Sequence, residues 1–287
     1  MSDKIKGLLA NATLYILAFA IALIPFCMID NIFLAEAAFT ATATFVIYIV
    51  TCFVPDTSLY DPYWSVAPPV MLIIAMIKYN YWSANAVILL SAFLIWSIRL
   101  TGNWVITYKG LLHEDWRYKM YRDKCTPFGF AVINFIGLQF VPTIVVYAGL
   151  IGAFHLIETD GFSLAVIPGI TVMILGVSLE FVSDRAIHGF LKENNGQNKT
   201  CDVAIWHYSR HPNYLGEMTF WTGVFISFAC VLPNIWYFGT GFLLIILLFL
   251  TVSIPMMEKH NMERRADYEE YKARTSVLIP LPNKKNN

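Results

Sequence analysis

Long apolar runs without charged residues alternate with short polar segments along nearly the whole chain. A transmembrane helix needs about 20 mostly apolar residues to cross the hydrocarbon core. The runs predict spans over about residues 8–29, 37–54, 66–77, 84–98, 130–154 and 162–182, with two more within 218–257. Pro233 and Asn234 divide that last run, since both residues favour a turn. The pattern therefore predicts an all-α integral membrane protein.

The third predicted span decides the number of transmembrane helices. It is short and begins with Pro68 and Pro69, so we expect either eight spans or seven with this segment re-entrant. The fourth span is predicted to continue as a helix to Tyr108, the fifth to kink near Pro142, and residues 262–273 to form a helix. We predict a single membrane domain over residues 1–287, a polytopic bundle of seven to eight helices with cytosolic loops and a cytosolic C-terminal tail.

The composition agrees with this fold class. Hydrophobic residues make up 57% of the chain and charged residues only 14%, whereas soluble proteins carry about a quarter charged residues. The formal net charge is zero, which provides no global field to attract nucleic acid. The most basic segments fall on one side of the eight-span arrangement, and the positive-inside rule then predicts that both termini are cytosolic.

Several common sites are missing from the sequence. The five cysteines are scattered without a C-x-x-C pair, so we expect small hydrophobic residues and no metal site. The G-x-G-x-x-G, P-loop and G-x-S-x-G motifs are also absent. A nucleotide site would therefore be assembled from loops and helix ends.

One polar stretch stands directly before the long apolar run that begins at Met218. It reads Trp206-His-Tyr-Ser-Arg-His-Pro-Asn-Tyr-Leu-Gly-Glu217. Pro212 restricts the backbone of His211, and Asn213 and Glu217 fall one helical turn apart on one face. Polar groups near hydrocarbon usually face a cavity, a partner or a ligand, so we predict a ligand site here. The simpler interpretation is a cytosolic loop that follows the positive-inside bias.

Further polar groups are predicted on the same side of the membrane. Glu180 and Asp184 share a helical face, where two like charges need a cation, an arginine salt bridge or ribose hydroxyls between them. Arg99 and Asn103 continue one face of the helix at the inner end of the fourth span. Arg117 carries a fork of donors suited to phosphate, although its segment also fits an amphipathic helix on anionic lipid.

The turn and the tail complete this pattern. Asp61 and Tyr63 form a carboxylate–phenol pair in a turn, which equally fits an aromatic belt at the membrane boundary. The apolar segment 276–282 follows a charged tail, so we expect it to fold back onto the protein. Together the groups suggest a polar cofactor from the cytosol and a lipid-like substrate entering from the bilayer.

These motifs resemble a known superfamily. Asp184, the stretch from Trp206 to Glu217, and Glu270-Tyr followed by Leu278-Ile-Pro280 resemble the C-terminal domain of steroid 5-alpha-reductases. Asp61-Pro-Tyr-Trp-Ser65, Arg99-Leu-Thr-x-Asn103 and Glu114-Asp-Trp-Arg-Tyr118 resemble its bacterial-type DUF1295 branch. The resemblance covers residues 59–282 and leaves out 1–58 and 283–287. A similar Arg-His-Pro core occurs in sterol reductases and isoprenylcysteine carboxyl methyltransferases.

The resemblance implies an NADPH-dependent reduction of a carbon–carbon double bond conjugated to a ketone in a steroid or similar lipid. Animal relatives hold the ketone with a Glu and a Tyr from N-terminal spans, and Asp61 with Tyr63 is the predicted catalytic pair here. Glu180 stands where animal enzymes carry Asn. The predicted cofactor-binding residues are Arg99, Asn103, Arg117, Glu180, Ser183, Asp184, Tyr208, Arg210, His211, Asn213, Tyr214, Glu217, Tyr271 and Arg274.

Two other functions remain open. The protein could be a methyltransferase using S-adenosylmethionine, or a lipid-binding membrane protein without catalysis. We expect contact with membrane lipid and predict no obligate protein partner. The DUF1295-like pattern favours a bacterial inner membrane, whereas Lys284-Lys-Asn-Asn287 resembles an endoplasmic-reticulum retrieval signal that would apply in a eukaryote.

Overall fold

The computed structural model describes residues 2–54, 56–111, 113–195 and 197–283. The retrieval-like signal at 284–287 lies outside the described residues. The chain divides into two compact units, Met1–Phe162 and Ser163–Asn287. The described part of the chain contains helices and no β-strand, apart from one isolated bridge between Ser209 and Ser276.

Unit 1 (Met1–Phe162) is built from helices whose first turns are capped by their own sequence. Ser2, Asn31 and Ser83 each accept a hydrogen bond from a backbone N–H in the first turn. A 3₁₀ turn (Thr57–Tyr60) precedes the third helix. The helices are α1 (Asp3–Met28), α2 (Ile32–Phe53), α3 (Tyr63–Tyr79), α4 (Ala84–Thr107), α5 (Trp116–Lys124), α6 (Pro127–Ile133) and α7 (Val141–Ile157).

Unit 2 (Ser163–Asn287) is dominated by two long helices that approach closely through glycine. A Cβ at Gly216 would collide with the side chain of Glu180 and the carbonyl of Gly176. This close approach brings Glu180 to the start of the helix that carries Asn213. The helices are α8 (Ile167–Glu193), α9 (Pro212–Val231), α10 (Thr240–Leu248), α11 (Ile254–Arg264) and α12 (Tyr268–Arg274).

Seven helical stretches among the described residues are long and apolar enough to cross a membrane, which confirms the predicted polytopic bundle. α3 is not one of them, because it has only 17 residues, about 25 Å of helix. The seven stretches are Asp3–Met28, Ile32–Phe53, Ala84–Thr107, Pro127–Ile157, Leu164–Glu193, Pro212–Val231 and Pro233–Arg264.

The contacts of α3 explain its short length. The Tyr63 hydroxyl lies 2.9 Å from Thr40 Oγ1, well inside α2. Lys78, near the other end of α3, donates to the carbonyl of Phe26 at 2.7 Å. The chain between α2 and α3 therefore returns into the bundle before α3 begins, and α3 covers only the remaining depth.

One local prediction is wrong, and another is untested. The fifth span is helical from Pro127 to Ile157 and has a π-helical segment, Asn134–Phe140, directly before Pro142, so the kink near Pro142 stays a prediction. Residues 262–273 are two helices, not one. The Asp267 carboxylate accepts from the backbone N–H of Thr200 at 2.9 Å and from its hydroxyl at 2.7 Å. These bonds hold the break between α11 and α12.

Candidate functional site

Arg210 is the centre of the polar cluster in unit 2. Its Nε and Nη2 each lie 2.7 Å from the Glu258 carboxylate, and Nη1 donates to the carbonyls of Lys272 at 2.8 Å and Thr275 at 2.5 Å. Lys272 Nζ lies 2.9 Å from the same carboxylate. The guanidinium thus fastens the loop before α9 to α11 and α12.

The segment after α12 runs alongside the loop that contains Arg210. The N–H groups of Arg210 and His211 donate to the carbonyls of Ser276 at 2.8 Å and Val277 at 3.2 Å. Ser209 Oγ donates to the Leu278 carbonyl at 2.6 Å. The predicted fold-back of the tail is confirmed, and it gives the loop a second fixed edge.

A cavity of about 170 Å³ lies within unit 2, between this loop, α8, α11 and α12. Five predicted cofactor-binding residues line it: Arg210, His211, Asn213, Tyr214 and Tyr271. The other residues that line the cavity were not predicted from the sequence. They are Ile187, Thr200, Cys201, Trp206, Met257, Asn261, Arg265 and Tyr268.

Some of these lining residues could have been predicted from their spacing in the sequence. Met257, Asn261 and Arg265 are spaced four residues apart, which places the first two on one face of α11 and Arg265 directly after it. The break before Tyr268 then turns α12 toward the same cavity. That break depends on a bond to Thr200 and could not be read from local sequence.

The tyrosines that line the cavity are neutral hydrogen-bond donors, and their aromatic rings provide flat surfaces. Burial raises the pKa of Tyr268 to about 12, and burial also raises the pKa of Tyr271. The Tyr271 hydroxyl donates to the carbonyls of Trp206 and Ser209. The His211 and Tyr214 rings stack with centroids 5.3 Å apart. The cavity can therefore hold a planar group between aromatic and amide side chains.

Six predicted cofactor residues lie elsewhere in unit 2, and their roles stay predictions. Arg274 Nη2 is 2.6 Å from Asp202, and Glu217 accepts a 3.0 Å bond from Trp221 Nε1. The Tyr208 side chain is 46% exposed. Ser183, Glu180 and Asp184 are buried on α8, and the Ser183 carbonyl accepts a 2.8 Å bond from Trp206 Nε1.

In unit 1, Asp61 belongs to a charged network. Its carboxylate accepts a hydrogen bond from the Tyr118 hydroxyl, and Arg117 Nη2 lies 3.6 Å away. Arg117 also bonds Asp115 through Nε at 2.7 Å. Burial raises the pKa of Asp61 to about 6, although Arg117 opposes the shift. Because Arg117 already pairs with two carboxylates, its charge is largely compensated. It is therefore a weak candidate for binding phosphate.

Tyr63 has different partners from Asp61. Its hydroxyl lies 2.9 Å from Thr40 Oγ1 and donates to the Thr40 carbonyl at 3.1 Å. The Tyr63 hydroxyl is therefore held by α2, whereas the Asp61 carboxylate bonds Tyr118. Their assignment as a catalytic pair rests on neighbouring positions in the sequence, whereas the hydrogen bonds separate them.

Glu36 is a candidate that sequence reasoning missed, because it was placed at the edge of the second span. It lies inside α2, is completely buried, and neither carboxylate oxygen has a hydrogen-bond partner. It acts electrostatically on Tyr63. The spacing of Glu36, Thr40 and Thr44 along an apolar helix was a signal for an inward polar stripe.

Arg99 and Asn103 lie one turn apart on α4, as predicted, and both are half-buried. The side-chain oxygen of Asn103 is buried without a hydrogen-bond partner. The structure brings these residues into unit 1 together with Asp61, Tyr63 and Arg117. Among the residues that the structure describes, no group of three or more His, Cys, Asp or Glu could hold a metal ion.

Comparison with known proteins identifies the family. The family model described as a protein of unknown function (DUF1295) matches residues 47–275, so the chain belongs to this family. No curated protein and no solved structure matches the chain.

Proposed function

Taking the chain as a member of the DUF1295 family, we propose that it is an NADPH-dependent membrane reductase. Its substrate would be a carbon–carbon double bond conjugated to a ketone in a steroid or similar lipid. The observation that carries the proposal is the cavity of unit 2, where five predicted cofactor residues meet. NADPH would supply a hydride equivalent to the substrate's beta carbon.

The walls of the cavity fit part of this cofactor. The amides of Asn213 and Asn261 suit a carboxamide or ribose, the faces of Trp206 and Tyr214 suit a planar ring, and Arg265 suits a phosphate. Whole ligands of this size usually need about 300–1,000 Å³. A volume of about 170 Å³ therefore accommodates one part of the dinucleotide.

Unit 1 offers donors for the negative charge that develops on the ketone oxygen. Tyr63 is a buried phenol, and Glu36 is a buried carboxyl without a hydrogen-bond partner. Donors aimed at such a charge in a dry site are the largest contribution in many enzymes. Glu36 with Tyr63 is therefore the pair that we propose to hold the ketone, in place of Asp61 with Tyr63.

The location in the cell is also part of the proposal. We propose a bacterial inner membrane, or the endoplasmic reticulum in a eukaryote, with both termini in the cytosol. Lys4 Nζ donates to the Ile106 carbonyl at 3.0 Å, which joins the start of α1 to the end of α4. This contact puts the start of α1 and the end of α4 on one side, as an even number of crossings between those two points requires.

The test uses the purified protein in detergent. We expect it to bind NADPH and to transfer tritium from labelled NADPH to at least one member of a panel of 3-oxo-Δ4 steroids. Asn213→Ala and Glu217→Gln should lose NADPH affinity and remain folded. Asn234→Ala, an exposed amide in the 3₁₀ turn Pro233–Gly239 that follows α9, is the matched control.

Undiminished NADPH affinity in both variants would remove the site assignment. Titration with S-adenosylmethionine in the same preparation distinguishes the alternative. Binding of S-adenosylmethionine without NADPH would favour the methyltransferase, and binding of neither would favour a lipid-binding protein.

A further inference from the structure

An open groove of about 560 Å³ lies along α11 in unit 2. It shares no lining residue with the cavity of about 170 Å³ that contains Arg210. α11 contributes six of the lining residues, among them Ile254 and Met262. The others are Lys272 of α12 and Val277 of the segment after α12. The groove is therefore a second binding surface that the proposed reaction does not use.

The groove has an apolar end and a charged end along α11. Ile254 and Pro255 lie in the last uncharged run of the sequence, whereas Lys259 and Glu263 follow that run. α11 belongs to the stretch Pro233–Arg264, which is long and apolar enough to cross a membrane. The groove thus passes from residues that suit the hydrocarbon core to residues that suit the headgroup region. A membrane lipid has its acyl chains and its headgroup in the same order.

The charges of the groove favour an anion. Two cations share one carboxylate, because Arg210 Nη2 lies 2.7 Å and Lys272 Nζ lies 2.9 Å from Glu258. The second pair is Lys259 with Glu263, whose closest charged atoms are 4.0 Å apart and whose side chains are 74% and 63% exposed. Exposed pairs of this kind are weak and can be exchanged for other partners. Three cations beside two carboxylates leave one positive charge in excess.

We propose that this groove binds one anionic phospholipid of the surrounding bilayer. Its phosphate would lie beside Lys259 and Lys272, and one acyl chain would lie along Ile254 and Pro255. Lys272 can contribute because an ammonium group has three donors, of which one bonds Glu258. Basic pockets at the ends of membrane helices bind anionic headgroups in this way. The proposal involves no covalent step and does not depend on the proposed reductase activity.

The competing explanation is that the groove only contacts bulk lipid, as any boundary of a membrane protein does. Bulk contact has no fixed number of lipids and little preference for headgroup charge. A site built from Lys259 and Lys272 instead predicts one saturable lipid and a preference for negative charge. Glu263 also lines the groove and repels an anion, so its removal should strengthen binding.

The experiment is native mass spectrometry of the full-length protein in detergent during titration with dioctanoyl phosphatidylglycerol. We expect one bound lipid at saturation. Dioctanoyl phosphatidylcholine, which has the same chains and no net charge, should bind at least about fivefold more weakly. Inorganic phosphate should not displace the lipid, because it lacks the acyl chains.

Variants test the individual contacts. Lys259→Gln should lower the affinity for phosphatidylglycerol about fivefold, and Glu263→Gln should raise it. Met262→Asp, which places a carboxylate within the groove, should lower it further. Lys192→Gln is the matched control, because Lys192 is an exposed lysine at the end of α8 that does not line the groove. Thermal unfolding checks that each variant is folded.

Equal affinity for the two lipids would overturn the proposal, as would binding of several lipids without saturation. Equal weakening by Lys192→Gln would also overturn it, because the lipid would then respond only to the overall charge of the protein. Displacement by inorganic phosphate would identify a site for soluble phosphate instead. If Lys259→Gln fails to fold, Glu263→Gln decides by its opposite sign. All of these outcomes are measured without NADPH or turnover.

Discussion

Glu258 in unit 2 and Glu36 in unit 1 are both buried glutamates on helices long enough to cross a membrane. The Glu258 carboxylate lies within 4 Å of Arg210, Lys272 and His211. The Glu36 carboxylate has no hydrogen-bond partner. A compensated charge fixes structure, whereas an uncompensated buried acid is a group that ligand chemistry can use. The comparison separates a compensated structural glutamate in unit 2 from an uncompensated buried glutamate in unit 1.

The largest effect is expected from Glu258→Gln. The change leaves Arg210 and Lys272 without their carboxylate, so the free energy of unfolding should fall by about 3–5 kcal/mol. Glu36→Gln is the matched substitution and should change it by less than about 1 kcal/mol, because no hydrogen bond is lost. Denaturant unfolding in detergent measures both. Equal destabilisation would remove the distinction between the two glutamates.

Tyr63→Phe tests the proposed role of a buried donor of unit 1 in turnover. The loss of one donor to a developing oxyanion should lower turnover by about 10²–10³-fold while NADPH binding persists. Tyr15→Phe is the control, because Tyr15 is another buried phenol of unit 1 whose hydroxyl donates to the Leu59 carbonyl at 2.8 Å. Single-turnover rates measure the effect. Wild-type turnover in Tyr63→Phe would exclude it as the donor.

Asp61→Asn tests how the stability of the protein depends on pH. The pKa of Asp61 is raised by burial from 3.8 to about 6, so its protonated form favours the folded state. The protonated carboxyl contributes fully to the free energy of unfolding below about pH 4. This contribution is lost as pH rises through about 6, and the change in the free energy of unfolding is on the order of 2 kcal/mol. Asp61→Asn should remove this dependence, and Asp3→Asn, at an 84% exposed side chain, should retain it. Thermal unfolding across pH decides, and an unchanged profile in Asp61→Asn contradicts the assignment.

The smallest effect is expected from the tail. Ser209→Ala removes the bond to the Leu278 carbonyl and should cost about 1 kcal/mol, with a small loss of NADPH affinity. Ser227→Ala removes a hydroxyl that bonds the Gly223 carbonyl and Met173 Sδ, away from the cavity, so NADPH affinity should stay unchanged. A binding titration compares them. Equal NADPH affinity in both variants would mean that the tail does not position the loop.

The sequence by itself determined the helical spans, because apolar length and backbone hydrogen bonding within a helix are local properties. It also identified Arg210 and Asn213 as residues of the cavity, since an unusual density of polar groups before an apolar run is visible without a fold, whereas Tyr271 came from the family resemblance. The tail's return was predictable from its apolar character. The family followed from motifs spread over most of the chain.

Only the tertiary structure decided which polar groups meet. Thr40 and Tyr63 are 23 residues apart, Arg210 and Glu258 are 48 apart, and Asp61 and Tyr118 are 57 apart. Neighbouring positions suggested Asp61 with Tyr63, but the chain re-enters the bundle and turns them toward different helices. Whether a buried charge is compensated depends on these long-range contacts, so Glu258 became a structural anchor and Glu36 a candidate for chemistry.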